Sequence, residues 1–304
     1  MRLLLPKTKN TWKLVNNPKL NAGIYTNRFF VYICQEYKKN IMKIWKEGNM
    51  KIGIKDADEI KSMREGGRIL GLILHELGKN IRPGMTGLEL DHLAEKMMKE
   101  YHVLPSFKGY RGFPNVCCVN INDEVVHGIP TDREFQEGDI VTVDCGVVFN
   151  DFHTDSAITK GVGHIKPELK KFIETAEKAL KKAIETARPG IRIRTISGVI
   201  EDIIKKNGYS VVYDLIGHGI GHHLHEDPQV PNFRDPDDAG PILQPGMTIA
   251  IEPIFAMGNS RVKTLKDHWT IVTADGSPAV QVEHTIAITE KGCEVLTKRP
   301  HETL

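Results

Sequence analysis

The chain has 304 residues, 40% of them hydrophobic and 26% charged, with a net charge of +2. That length and apolar content supply a full globular core, and no apolar run reaches the ~18 residues of a membrane span. The five cysteines are odd in number and lack CxxC spacing, which argues against a disulfide framework and for free thiols in a reducing, cytoplasmic setting.

The charge is uneven. Residues 1–49 carry ten Lys or Arg against two Glu, a net of +8, which leaves −6 for residues 50–304. This first segment is rich in Lys and Asn and has no sustained helical or strand period. It reads first as upstream sequence translated from an early start, with Met50 as the natural beginning. It reads second as a basic arm for an anionic surface such as ribosomal RNA, and last as a transit peptide, which would favour Arg and Ser.

From Asp58 to Asn80 the spacing of Ile60, Met63, Leu70, Leu74 and Leu77 predicts an amphipathic helix. Thr86-Gly-Leu-Glu89 has the form of a capping box, and Leu90, Leu93, Met97 and Met98 continue a second helix to about Tyr101. This unit recurs. RPGMTGLELDHLAEKMMKEY (82–101) aligns without a gap on RPGIRIRTISGVIEDIIKKN (188–207), so the apolar faces coincide at an offset of 106 residues. Likewise EGDIVTVD (137–144) resembles QPGMTIAIE (244–252), which puts Asp144 on Glu252. A duplicated α/β unit with an acid at the same strand position predicts two pseudo-symmetric halves, about 50–163 and 164–304, with a site between them.

Between the repeats, VDCGVVFNDFHTD (143–155) predicts a hairpin turning at Phe149-Asn150-Asp151. Asp144 and Asp155 would then face each other across the strands with Cβ atoms about 4.5–5.5 Å apart. No Lys or Arg lies between them, so a metal ion is the missing positive charge.

Further ligand candidates follow. LIGHGIGHHLHEDP (215–228) holds His218, His222, His223 and His225, but Gly217, Gly219 and Gly221 oppose a helix and HExxH is absent. A loop that presents one or two imidazoles is expected, with His222 and His223 structural or solvent-facing. Glu252 ends the strand IAI before Pro253, and Glu283 shares a strand face with Gln281 and Thr285. Asp144, Asp155, Glu252 and Glu283 with His218 make four carboxylates and an imidazole, a set that two divalent cations would balance.

These five residues, with FKGYRGFPNVCCVNINDEVVHGIP (107–130), GHGIGHHLHEDP and the IEP strand, resemble the type I methionine aminopeptidases over residues 50–304. Only 34 positions separate His218 from Glu252, where type II relatives carry an insertion. The resemblance implies an α/β (α+β) pita-bread fold, a pseudo-two-fold curved antiparallel sheet with helices packed on its outer face. It implies a metalloexopeptidase that removes the N-terminal methionine from nascent proteins and peptides, with two divalent ions (Co, Mn, Fe or Zn) activating a water. Asp144, Asp155 and Glu283 would hold one ion, and Asp155, His218, Glu252 and Glu283 the other. Glu252 would also move protons, His225 would contact the scissile amide, and His127 would transfer a proton or position the peptide. Tyr110, Phe113, Cys118, Leu224 and Trp269 would form the methionine pocket, Leu224 standing where an aromatic residue is often found.

The expected partners are Met-initiated peptides and nascent chains, with a ribosome contact through the basic segment, no membrane partner, and a monomeric, cytoplasmic protein. Two other readings stand beside this one. Prolidase-like enzymes share the metal set but carry a large additional N-terminal domain, which 49 residues cannot supply. A catalytically idle pita-bread module would bind protein or ribosomal RNA; all five ligand positions being filled argues for catalysis.

Overall fold

Alternation along four strands decides which side of the sheet holds the acids. The computed structural model describes residues 52–303, within the compact unit Met50–Leu304; the expected basic extension at 1–49 lies outside the described residues. Four helices are described: α1 (Ala57–Asn80), α2 (Gly87–Glu100), α3 (Pro167–Thr186) and α4 (Ile193–Lys206). The segment before α3 supplies β1 (Leu104–Pro105), β2 (Cys117–Ile121), β3 (Glu124–Val126), β4 (Ile140–Phe149) and β5 (Phe152–Gly161). After α4 come β6 (Ser210–Val211), β7 (Gly217–Gly219), β8 (Glu226–Val230), β9 (Thr248–Ile251), β10 (Ile254–Ala256), β11 (Val262–Thr264), β12 (Ile271–Thr273), β13 (Ala279–Gln281), β14 (His284–Ile288) and β15 (Cys293–Val295). No helix among the described residues is long and apolar enough to cross a membrane.

The internal repeat holds in three dimensions. α1 and α3 end, and α2 and α4 begin, at positions 106 residues apart, and the connecting turns use Gly84 (φ 78°) and Gly190 (φ 85°), also 106 apart. The left-handed backbone at these turns is open to glycine at no steric cost. The capping box predicted at Thr86 and Glu89 forms, with Thr86 N–H donating to Glu89 Oε2 at 2.8 Å and Glu89 N–H to Thr86 Oγ1 at 3.2 Å. The copy keeps the helix but not the box, since Arg192 stands at its N-cap.

Every strand ladder among the described residues is antiparallel. β4 pairs with β5 along one edge and with β1 and β2 along the other; in the second half β9 lies between β7 and β14, with β8 and β15 outside. On one face of β4, Val141, Val143, Cys145 and Val147 join the core formed with α1 and α2. On β9 and β14, Ile249, Ile251, Ile286 and Ile288 join the core formed with α3 and α4. Side chains alternate across a strand, so Asp144, Asp155, Glu252 and Glu283 all face away from the helices. Helices cover one side of the sheet and carboxylates line the other.

Close approach explains several glycines. A Cβ on Gly67 would lie 2.4 Å from Leu296 O and one on Gly71 2.5 Å from Lys298 O, so these positions let α1 rest on the C-terminal segment.

Candidate metal centre and substrate site

The two acids that close the hairpin are not directly opposed, which corrects the sequence expectation. The turn is the two residues Asn150 and Asp151, both with positive φ (49° and 65°), and Phe149 pairs with Phe152. Such two-residue turns match the right-handed twist of the flanking strands. The midpoint therefore falls one residue later than predicted. Asp144 pairs with Ala157 and Asp155 with Gly146, leaving the acids diagonal on one face with their carboxyls within hydrogen-bond reach.

The second half supplies the mirror pair. Glu252 directly follows β9 and Glu283 directly precedes β14, where Ile251 pairs with His284. The edges of β5 and β14 meet through hydrogen bonds between Ala157 and Glu283, which brings Asp155 beside Glu283. His218 arrives from β7. Of the region read as a loop, only Gly217–Gly219 is a short strand, and residues 220–225, with His225, remain a loop. The strand's glycines serve close backbone approach, since a Cβ on Gly217 would lie 2.4 Å from Ala250 O and one on Gly219 2.2 Å from Asp227 O.

Asp155, His218 and Glu283 each offer a donor atom within 4.8 Å of the others. Asp144 and Glu252 join them through Gln281, whose Nε2 donates to Asp144 Oδ2 and to Glu252 Oε2, each at 3.3 Å. His218 Nε2 stands 3.8 Å from Glu252 Oε1. Its other nitrogen, Nδ1, is 2.8 Å from Gly219 O, a carbonyl that can only accept, so Nδ1 carries the proton and Nε2 presents a lone pair to the acids. All five predicted ligand positions thus converge.

Their electrostatics call for a cation. Asp144 and Glu252 are 7% exposed and Glu283 1%, and Asp144 Oδ1, Asp155 Oδ1 and Glu283 Oε1 are buried without a hydrogen-bond partner. Burial, with the neighbouring carboxylates, holds Asp155, Glu252 and Glu283 well above the usual carboxylate range; burial pushes Asp144 up to about 6. Unpaired buried carboxylates are costly. An oxygen-rich, thiolate-free donor set with one imidazole fits divalent metal.

The predicted substrate residues gather at the same place. Tyr110, Phe113, Cys118, Leu224 and Trp269 belong to one apolar cluster with Met63, Phe107 and Phe152. Phe113 and Trp269 meet edge-to-face with ring centroids 5.2 Å apart. Cys118 pairs with Asp144 across the strands, and burial, then Asp144 and Asp155, push its thiol well above its ordinary value, so it is an inert wall.

His225 packs against His218 with ring centroids 4.4 Å apart, and its Nδ1 lies 2.8 Å from the Tyr110 hydroxyl. Burial first, then His218 and His127, hold this imidazole well below its usual pKa. His127 sits in left-handed backbone (φ 58°), and burial pushes its pKa down to about 4. That conformation is uncommon for a residue other than glycine. The Gly128 N–H fixes the bend by donating to Asn120 Oδ1 at 2.8 Å. As expected, His222 and His223 are exposed and stand apart from the acids, His222 contacting Glu59 and Phe152.

Sequence reasoning missed three partners. Gln281 and Thr285 were placed on the face of Glu283, but not as the donor that bridges Asp144 and Glu252 and the hydroxyl that holds Asp155; the alternating pattern was the signal. Lys55 gave no local signal. Its ammonium pairs with Glu226 at 2.6 Å, and although burial raises the Glu226 carboxyl, Lys55 and the His223 N–H bring it below its ordinary value.

Known proteins resemble this chain over most of its length. Residues 61–290 match metallopeptidase family M24. The chain is 47% identical over 244 residues to methionine aminopeptidase 1 of Bacillus subtilis, covering 80% of this chain and 98% of that protein. It is 48% identical over 244 residues to the methionine aminopeptidase of Clostridium perfringens, with the same coverage. The crystal structure of methionine aminopeptidase from Thermotoga maritima superposes with a TM-score of 0.80 at 42% identity, covering 82% of this chain and all of that one. A prolidase from Pyrococcus horikoshii shares the fold (TM-score 0.67, 27% identity), but only 65% of that longer chain is covered. The chain belongs to metallopeptidase family M24, among its methionine aminopeptidases.

Proposed function

We propose that the protein removes the N-terminal methionine from nascent chains and peptides at a centre of two divalent ions held by Asp144, Asp155, His218, Glu252 and Glu283. The observation that carries this reading is the convergence of three buried, unpartnered carboxylate oxygens beside one apolar aromatic cluster. Divalent ions bound there would supply a nucleophilic water near neutral pH and polarise the scissile carbonyl. Asp155 and Glu283, central in the site, would be shared by both ions. Mn, Co, Fe and Zn all suit this donor set.

The chain's own residues do the rest. The pocket of Tyr110, Phe113, Cys118, Leu224 and Trp269 takes the methionine side chain, whose flexible thioether suits aromatic walls. His225, neutral at physiological pH, donates a hydrogen bond to the scissile carbonyl oxygen as negative charge develops. His127 positions the peptide or passes a proton, and Glu252 moves a proton from the water to the leaving amine. We further propose that residues 50–304 are the catalytic unit in two halves, that the protein is monomeric and cytoplasmic, and that residues 1–49 are dispensable for the activity. Hydrolysis of Met-Ala-Ser, its loss with a chelator and its recovery with Mn or Co test the reading. Metal binding with no hydrolysis of any Met-initiated peptide overturns it.

A further inference from the structure

Lys55 lies ahead of α1, 170 positions before His225, yet its side chain ends in the loop that carries that histidine. The ammonium sits 2.6 Å from Glu226 Oε2 with side-chain exposures of 4% for the lysine and 12% for the glutamate. The other carboxylate oxygen, Oε1, accepts the His223 N–H at 2.9 Å. One carboxylate therefore closes the His223–Glu226 turn on one side and is gripped by Lys55 on the other. Between those ends stand Leu224, buried in the methionine pocket, and His225, 2.8 Å from Tyr110.

The surroundings are shaped for this grip. A Cβ on Gly221 would lie 2.3 Å from Lys55 Cε and 2.6 Å from Nζ, so only glycine leaves the lysine its path. Lys55 is anchored behind by its own N–H, which donates to Gly246 O at 2.8 Å, in the turn that opens β9 and leads to Glu252. The lysine thus ties the strand leading to one proposed ligand to the turn that carries the proposed carbonyl donor.

A buried ion pair adds little net stability over neutral groups of the same shape, but it admits few geometries. Catalytic donors displaced by about 1 Å lose about 10²-fold in rate. We infer that Lys55 is a positioning residue for the aminopeptidase reaction, acting through Glu226 on the turn that aims His225. This rests on the reading of His225 as a substrate contact, and the test separates the two.

The full-length, metal-loaded protein is assayed on Met-Ala-Ser as wild type, Lys55→Met, Lys55→Met/Glu226→Gln, His225→Ala and Lys55→Met/His225→Ala. Metal content and melting temperature are recorded for each, and the imidazole ¹⁵N resonances of His225 for those that retain it. Lys55→Met is expected to lower kcat by about 10- to 100-fold with metal content unchanged, and to shift the His225 resonances. Adding Glu226→Gln removes the unpaired buried charge and restores the melting temperature, but not kcat. In the His225→Ala background Lys55→Met has little left to disturb, so kcat changes less than about twofold. Recovery of kcat together with melting temperature, a full loss persisting in the His225→Ala background, or unmoved His225 resonances each overturn the inference. If His225→Ala turns over like wild type, the reading of His225 falls and this inference with it, while the activity itself still stands on the wild-type rate.

Discussion

Ala157 and Glu283 exchange their backbone hydrogen bonds, Glu283 N–H donating to Ala157 O at 3.0 Å and Ala157 N–H to Glu283 O at 3.4 Å. Two residues along the same edge, side chain replaces backbone. The Asp155 N–H donates to Thr285 Oγ1 at 2.9 Å, and the Thr285 hydroxyl donates to Asp155 O at 2.7 Å. The seam between the halves therefore holds a central acid from each.

Thr285 is fully buried, so Thr285→Val keeps the shape and leaves the Asp155 N–H and carbonyl unpaired. Each orphaned group costs about 1–3 kcal/mol. Urea unfolding should show that loss, together with weaker metal binding, and Thr285→Ser should recover most of both.

Metal removal should have a proton signature. With carboxyls raised by burial, and Asp144 at about 6, the metal-free site retains protons near and below that pH. Binding must release them, so affinity for Mn or Co should fall as pH drops below about 6. Calorimetry in two buffers of different ionisation enthalpy should report protons released. Chelation should also lower the melting temperature, since ions that bind only the folded chain stabilise it.

Ligand and substrate roles separate by stoichiometry. His225→Ala should keep bound metal and lose about 10²-fold in kcat, the scale of losing one transition-state donor. Asp155→Ala, at the centre of the converging oxygens, should lose metal as well as activity. Equal metal content in the two variants, measured by emission spectrometry, would reverse these assignments.

Much of this was legible because it was local or repeated. The capping box at Thr86 and Glu89, the apolar face of α1 and the 106-residue repeat depend on spacing alone, and each forms as read. The hairpin register was misjudged by one residue because two left-handed residues, Asn150 and Asp151, turn the chain later than its apolar pattern suggests. Gln281 and Lys55 act across 137 and 171 positions. The strand alternation put Gln281 on the face of Glu283, but the partners of both residues follow from the fold, and for Lys55 no local pattern announces the pairing.

Acid should unfold the C-terminal seam through a buried cluster. His284 contacts Thr297, Glu302 and Arg299, and Arg299 also pairs with Glu302. Glu302 is held at about 2 against an ordinary 4.5; although burial raises it, His284 and Arg299 lower it further. A depressed acid contributes stability that is fully present above about pH 4.5 and is lost as pH falls toward 2. Burial, then Arg299, pushes His284 down to about 4 from 6.5, so its contribution is present above 6.5 and lost as pH falls to 4. Both signs agree. Glu302→Gln should lower stability at pH 7 and flatten the acid limb below pH 4.5, read from urea midpoints across pH.

The range of products decides between an exopeptidase and a binding module. The proposed methionine pocket, where Phe113, Trp269, Cys118 and Leu224 form an apolar cluster with Phe113 and Trp269 edge-to-face, would favour methionine over a charged or small side chain. The carboxylate-lined centre beside it suits a free amine, which would reach the ions directly. A peptide such as Met-Ala-Lys-Ser should therefore lose one residue and then stop, with alanine as the new N-terminus. The N-acetylated peptide should resist, because its blocked amine can no longer coordinate. Leu224→Phe should narrow the pocket and raise KM for methionine peptides more than it lowers kcat. Mass spectrometry of the products over time reads all three outcomes, and sequential removal of further residues or cleavage of the acetylated peptide would refute the proposed anchoring of the amine.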